Sequence, residues 1–534
     1  MTTGTLGDIS QERAATVHVA KECAPRYSFG GVGQVVGALA QGQAKSRQVY
    51  VVLPHYAAYQ ATSEQFMHFR FRLHNRDVDG TVSVERDSIG IIYLYISRPS
   101  HVPGLWNAKH AEEAYNCPKG FRADERDSYF TFVAAHLILH LRNYSSDISV
   151  HVHGATNAPV MFFLRQQDLS MPIIYTLHDY VSEPTVAYRP SSLLSYVKKS
   201  SLSSILSRCP RRPSESSICR PDRAATKESL SCFSLWRSSI RSSNILNCAD
   251  YVTAVSQGVF ETLLDDKIYE THVAQLANSG RLRVINNWVN DELWKKARQS
   301  VRIDHSLPDK LAAKRALLEV FDEFGHGSLD GFTRNCFVSW SGRFEENKGA
   351  HMLHYILDTS CRARCVFVIA GYSTSITQRK LKQALIKQMN RQPACPYMMF
   401  DSLVNQANYS LTIRAASDIT VVPSRSESFG LVAAEALAFA SLPIVSDVPG
   451  LRDIVVPYKD GVDNWTGFRF HYSKRKLRVT SSSIASVLQT AIELIMQQRG
   501  EDISRYHRRL ISAAPHCRED ACEWIRSYNV LYSK

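Results

Sequence analysis

Two short stretches carry side chains that could grip a phosphorylated sugar. In "SGRFEENKG", Arg343 follows a glycine and Lys348 precedes one. Two cations leaving a single strand end suit a diphosphate, whose charge must be stabilised as it departs. Taken singly, each is an ordinary surface cation beside Glu345 or Glu346. In "SRSESFGLVAAEALA", Glu427 stands before Phe429 and Gly430, and Glu435 lies beyond Leu431 in an apolar run. A carboxylate at Glu427 can accept hydrogen bonds from sugar hydroxyls. Gly430 lacks a side chain, so a ligand can approach the backbone N–H groups that open the next helix. Glu435, a little over one turn into that helix, could reach a ribose. A glutamate favoured by the helix dipole would explain one of these acids but not the pair.

A third stretch, "GGVGQVVG", follows the opening strand, and Gly30, Gly31 and Gly33 could bring backbone close to a phosphate. A dinucleotide fingerprint also needs an acid at the end of the next strand. That strand reads "QVYVVLPH" and carries none, which counts against the NAD reading. A tight strand-to-helix turn is the plainer alternative.

These residues need elements to hold them, and the chain supplies alternating strands and helices. "ATVHVAKECA", "QVYVVLP", "GIIYLYIS", "ISVHVHG", "PIIYTLHD" and "RLRVINNWV" read as strands in the first half, with helical runs between several of them. The pattern restarts with "CFVSWSGRF", "CVFVIAGY", "DITVVPS" and "LPIVSD", again separated by helices. Such alternation predicts parallel, doubly wound sheets, with ligands beyond the carboxyl ends of the strands. We expect a first Rossmann-like domain over 15–289 and a linker over 290–333. A second Rossmann-like domain should span 334–498, with C-terminal helices over 499–534.

With 534 residues, 44% hydrophobic and 21% charged, the composition is that of a globular chain of more than one domain. No apolar run reaches the roughly 18 residues a membrane helix needs, so no integral membrane segment is expected. The polar start "MTTGTLGDISQERAA" lacks the order of a secretory signal, and a cytoplasmic location is expected. Twelve scattered cysteines do not read as a disulfide framework. His507, His516, Cys517 and Cys522 match no standard zinc spacing, so neither a metal nor a cofactor is expected. The net charge of +13 is concentrated between Arg189 and Arg241, where eleven basic residues face three acidic ones. This Ser/Arg-rich stretch, 189–243, reads as an insertion, with a polyanion contact or a phosphorylation-controlled lid as sharper alternatives. No recognisable nucleic-acid module is present in the sequence, so no nucleic-acid partner is expected.

Taken together and in order, the motifs resemble retaining glycosyltransferases of the GT-B architecture, in particular the starch and glycogen synthase family. "CAPRYSFGGVGQVVGAL" is similar to that family's lysine-threonine-glycine-glycine loop. "HVHGATNAPVMFFL" and "YTLHDY" resemble its two histidine loops, and "RVINNWVNDELW", "SGRFEENKG" and "GLRDIV" follow in the family's order. The resemblance implies an α/β fold of two Rossmann-like domains facing each other across a cleft. It implies a nucleotide-sugar-dependent hexosyltransferase moving glucose from UDP- or ADP-glucose to an α-glucan or related carbohydrate acceptor. Arg343 and Lys348 would hold the donor diphosphate, Glu427 the donor sugar hydroxyls, and His178 would contact that sugar from the opposite domain. Gly30, Gly31, Phe429, Gly430, Leu431 and Glu435 would complete donor binding, and no metal is implied. The chain departs from the family pattern at Ser28, where a lysine is usual, and at Gln34, Gly154 and Asn290, where acids are usual. These departures motivate an alternative: a catalytically weak homologue that binds sugar nucleotide or glucan as a regulator.

Overall fold

The computed structural model describes residues 14–28, 30–57, 64–73, 76–100, 122–165, 170–178, 187–188, 240–241, 246–265, 270–289, 303–304, 307–330, 336–373, 375–392, 394–459, 464–471, 481–497, 501–515 and 523–532, with 102, 105–106 and 117. The 189–243 insertion, apart from 240–241, and Asn290 lie outside the described residues. Contacts divide the chain into two units. One holds Met1–Val255, Thr262–Ile285 and Ile525–Lys534, and the other holds Ser256–Glu261 and Asn286–Trp524.

In the first unit, β1 (Ala15–Val19), β2 (Gln48–Pro54), β3 (Glu64–Leu73), β4 (Arg76–Arg86), β5 (Ile92–Ile96), β6 (Ile148–His153), β7 (Ile173–Leu177), β8 (Tyr251–Ala254) and β9 (Leu282–Val284) form one sheet. Its nine strands run in the order β9-β8-β7-β6-β1-β2-β5-β4-β3. From β9 to β5 every pair is parallel, and β1, β5, β6 and β7 are buried throughout. Burial on both faces is what a parallel sheet covered by helices demands. Strands β3 and β4 are antiparallel to each other, and β4 is antiparallel to β5, so the sheet is not wholly parallel as expected. The helix α1 (Gly31–Ala44) follows β1 through a loop held by Glu22, whose carboxylate accepts from the Gly30 N–H at 2.9 Å. Gly37 lets α1 sit against that loop, because a Cβ there would strike the Ala24 carbonyl. The long helix α2 (Ala123–Leu141) is anchored by a buried ion pair between Asp127 and Lys21 at 2.6 Å. Arg126 shares the same carboxylate at 2.9 Å. Strand order reverses around β1 and β6, so their carboxyl ends flank the switch point of this sheet.

The second unit opens with α3 (Lys310–Glu319), inside the segment expected to be a linker. Its buried Lys314 pairs with Asp418 at 2.8 Å, and the same aspartate accepts from the Phe337 N–H at 2.8 Å. That contact ties the helix to the sheet, so this part of 290–333 is integral to the unit. The sheet comprises β10 (Gly325–His326), β11 (Phe337–Arg343), β12 (Val366–Tyr372), β13 (Tyr397–Phe400), β14 (Ile419–Val422), β15 (Leu442–Ser446) and β16 (Phe468–Phe470). The order is β10-β13-β12-β11-β14-β15-β16, and only β10 is antiparallel. Helices α4 (Leu353–Arg362), α5 (Ile376–Met389), α6 (Leu403–Ala416) and α7 (Leu431–Ala438) connect the strands. Strand order reverses between β11 and β14. Cys361 at the end of α4 and Cys395 before β13 are disulfide-bonded, with Cα atoms 5.1 Å apart. The scattered spacing had hidden this pair, because the two meet only when β12 is laid beside β13. The last helix, α8 (Glu523–Tyr532), returns to the first unit from Ile525 onward.

Candidate active site

The switch point of the second sheet gathers three of the expected catalytic residues. Arg343 ends β11, Lys348 lies in the turn that follows, and Glu427 lies in the loop after β14. Lys348 Nζ meets Glu427 Oε2 at 2.6 Å. The turn is fixed from below: the Trp340 indole N–H donates to the Lys348 carbonyl at 3.1 Å, and Trp340 is fully buried. It is fixed behind by Gly349, whose φ of +72° and close approach to the Pro423 carbonyl leave no room for a side chain. The Glu427 backbone is held in turn, its carbonyl accepting from the Gly450 N–H at 3.1 Å.

Arg343 is more open, its side chain 42% exposed, and it pairs with Glu345 at 3.0 Å. Gln378, from α5, donates to the other oxygen of Glu345 at 3.1 Å. Arg425, which the sequence reading did not single out, pairs with Glu346 at 2.7 Å, and its N–H donates to the Asn347 carbonyl at 2.8 Å. Opposite charges therefore alternate across the two loops, and every cation that could meet a diphosphate here has an acid beside it. Gly430, with φ of +95°, turns the chain into α7, and Phe429 beside it is buried. No side chain caps α7 and its first turn carries no acid.

Glu435 lies on α7, where its carboxylate is 12% exposed and pairs with Arg414 of α6 at 2.7 Å. Arg414 went unnoticed because α6 and α7 lie apart in sequence and meet only over the sheet.

In the first unit, Gly30 caps α1 and Gly31 begins it. Two departures from the family pattern are neighbours in space: the Gln34 amide donates to the Ser28 hydroxyl at 3.0 Å, and that hydroxyl donates to the Gly30 carbonyl at 3.3 Å. A neutral pair thus stands where the resemblance leads one to expect a cation and an acid. His178 follows β7, is buried, and its Nε2 lies 3.1 Å from His153 Nδ1. Gly154, with φ of +78°, turns the chain directly after that histidine.

Both halves of the chain match known families. Residues 16–200 match the family described as starch synthase catalytic domain, and residues 332–468 match glycosyl transferases group 1. The catalytic domain of Starch Synthase IV from Arabidopsis thaliana, bound to ADP and acarbose, superposes with a TM-score of 0.71 at 20% identity, over 98% of this chain and 99% of that one. The chain is a starch- and glycogen-synthase-like GT-B glycosyltransferase. Glycogen synthase of Chlamydia pneumoniae is 24% identical to this glycosyltransferase over 478 residues, covering 85% of this chain and 88% of the relative. The sucrose-phosphate synthase of Thermosynechococcus elongatus shares the fold with a TM-score of 0.56 at 15% identity, over 98% of each chain. Among the described residues of the glycosyltransferase, no helix is long and apolar enough to cross a membrane.

Proposed function

We propose that this glycosyltransferase moves glucose from UDP- or ADP-glucose to an α-glucan or related acceptor, with retention at the anomeric carbon, in the cytoplasm. The observation that carries the proposal is the Lys348–Glu427 pair at the switch point, beside Arg343 and the uncapped start of α7. A diphosphate arriving there would exchange the acids now beside Arg343 and Lys348 for its own oxygens. Glu427, released from Lys348, would accept hydrogen bonds from the donor hexose. The departing nucleoside diphosphate is then stabilised by two cations and the helix dipole, which is the electrostatic part a metal plays elsewhere. His178 is assigned to the donor sugar on the family resemblance alone. Both contacts of Arg414 are to Oε2 of Glu435, so its Oε1 would accept from the donor ribose.

The test is a transfer assay with glycogen and short maltooligosaccharides as acceptors, followed by NMR of the product anomer. Lys348→Ala and Glu427→Ala should abolish transfer while the far-UV spectrum is unchanged. Native rates in both variants would remove these residues from the site. The Ser28–Gln34 pair favours a second reading, a homologue that binds donor but turns it over poorly. Calorimetric binding of either nucleotide sugar without turnover on any acceptor would select it.

A further inference from the structure

Three histidines lie side by side at the centre of the first sheet. His18 on β1 is the register partner of His151 on β6, and His153 follows on the same face of β6. All three are buried, and their candidate ligand atoms lie within 4.8 Å of one another, a spacing that a metal ion could exploit. The hydrogen bonds point elsewhere, because each of the six ring nitrogens has a polar partner. His18 Nε2 lies 2.8 Å from Gln43 Oε1, and His18 Nδ1 lies 2.9 Å from His153 Nε2. His153 Nδ1 continues to His178 Nε2 at 3.1 Å. His151 Nδ1 meets the Tyr532 hydroxyl at 2.7 Å, and its Nε2 meets Thr176 Oγ1 at 2.6 Å. Gln43, from the end of α1, joins the two branches, its amide N–H donating to the Tyr532 hydroxyl at 3.0 Å.

The direction of every proton follows from that amide. Its nitrogen is committed to Tyr532, so its oxygen faces His18 and must accept, which places the His18 proton on Nε2. His18 Nδ1 is then an acceptor, so His153 carries its proton on Nε2 and leaves Nδ1 to accept. His178 must therefore donate from Nε2, which leaves Nδ1 unprotonated in the neutral ring. On the other branch the Tyr532 hydroxyl, having accepted from Gln43, donates to His151, and His151 donates to Thr176. Thr176 in turn lies 2.7 Å from the Thr253 hydroxyl. Both branches close without a clash of two donors or two acceptors. A buried network of this kind, fully satisfied, specifies one arrangement.

We propose that Gln43, pinned by Tyr532 of the C-terminal helix, is a positioning residue that fixes the Nε2–H tautomer and ring orientation of His178 through His18 and His153. The inference rests on the proposed role of His178 at the donor sugar. It gives the return of α8 to the first unit a purpose beyond packing: the last turn of the chain sets the protonation pattern of a residue at a strand end of the sheet. A ring whose tautomer and orientation are set in advance keeps one arrangement of donor and acceptor, whereas a mixture of tautomers keeps it only part of the time.

The test is long-range 15N–1H NMR of the full chain labelled in histidine, which reports the tautomer of each ring without reference to activity. The native protein should show His178, His153 and His18 as Nε2–H neutral rings. Gln43→Leu should turn His178 into a mixture of tautomers and lower kcat on the order of ten-fold with little change in KM for the glucan, as the loss of an orienting partner does. A native His178 protonated on Nδ1 overturns the proposal, as does a Gln43→Leu protein whose His178 signal is unchanged. Stoichiometric zinc uptake that shifts the three buried rings would overturn it in favour of a metal site. Should Gln43→Leu fail to fold, the native tautomers decide alone. Lack of transfer by the native chain would refute the functional reading and leave the tautomer result standing.

Discussion

Acidification should loosen the first sheet at its centre. Burial drives the pKa of His18 from 6.5 to about 4, partly opposed by its bond to Gln43. Burial likewise pushes His151 and His153 well below the ordinary value, and the neighbouring histidines push them further. In the unfolded chain these rings take up protons near pH 6.5, whereas in the fold they stay neutral far below it. Between those limits the unfolded state binds more protons, so stability falls as pH falls, and for His18 the window runs from 6.5 down to about 4. At about pH 5.5 one such histidine has cost on the order of 1 kcal/mol, against a total stability of about 5 to 15 kcal/mol. Hydrogen–deuterium exchange of peptides covering β1 and β6, corrected for the chemical pH dependence of exchange, gives the local opening energy at each pH. His18→Gln removes one titrating ring, and its slope below pH 6.5 should be shallower by about 1.4 kcal/mol per pH unit. Equal slopes in variant and native protein would refute the neutral, desolvated state assigned to His18.

Two further outcomes concern the second unit. Replacing Gly349 by alanine forces a side chain into φ of +72° against the Pro423 carbonyl. The backbone alone should cost about 1 to 2 kcal/mol in urea melts, with transfer lost as Lys348 shifts, and an unchanged melt would contradict the account of this turn. The Cys361–Cys395 bond closes a loop of 34 residues, so the double serine variant should lose about 3 to 4 kcal/mol by chain entropy. A non-reducing peptide map checks that the bond forms, and equal stability of the variant would dismiss its structural role.

Much of the fold was legible because a buried parallel strand is a short apolar run bounded by turns. "CVFVIAGY" and "DITVVPS" correspond to β12 and β14, and the candidate site loops follow from strand ends. The hairpin of β3 and β4 was passed over, although Phe69 and Phe71 on β3 carry the period-two pattern, because the charges between them mask it. Lys348 and Glu427 could be named because local motifs bracket them with glycines. Their partners could not, since Arg425 with Glu346 and Arg414 with Glu435 depend on which loops and helices become neighbours. The histidine network was half visible: "HVHG" places two rings on one face by strand alternation. His18, Gln43 and Tyr532 join them only through strand pairing and the return of the final helix, which no local pattern encodes.

The most direct test of the central claim is titration calorimetry of the full chain with ADP-glucose and UDP-glucose, native against Lys348→Ala. The native chain should bind at least one of them. Loss of a charge-assisted bond of about 1.5 to 3 kcal/mol should weaken that binding in the variant by about ten- to a hundred-fold. Native protein that binds neither nucleotide sugar, or a variant that binds as tightly as native, would contradict the assignment of a diphosphate to Arg343 and Lys348.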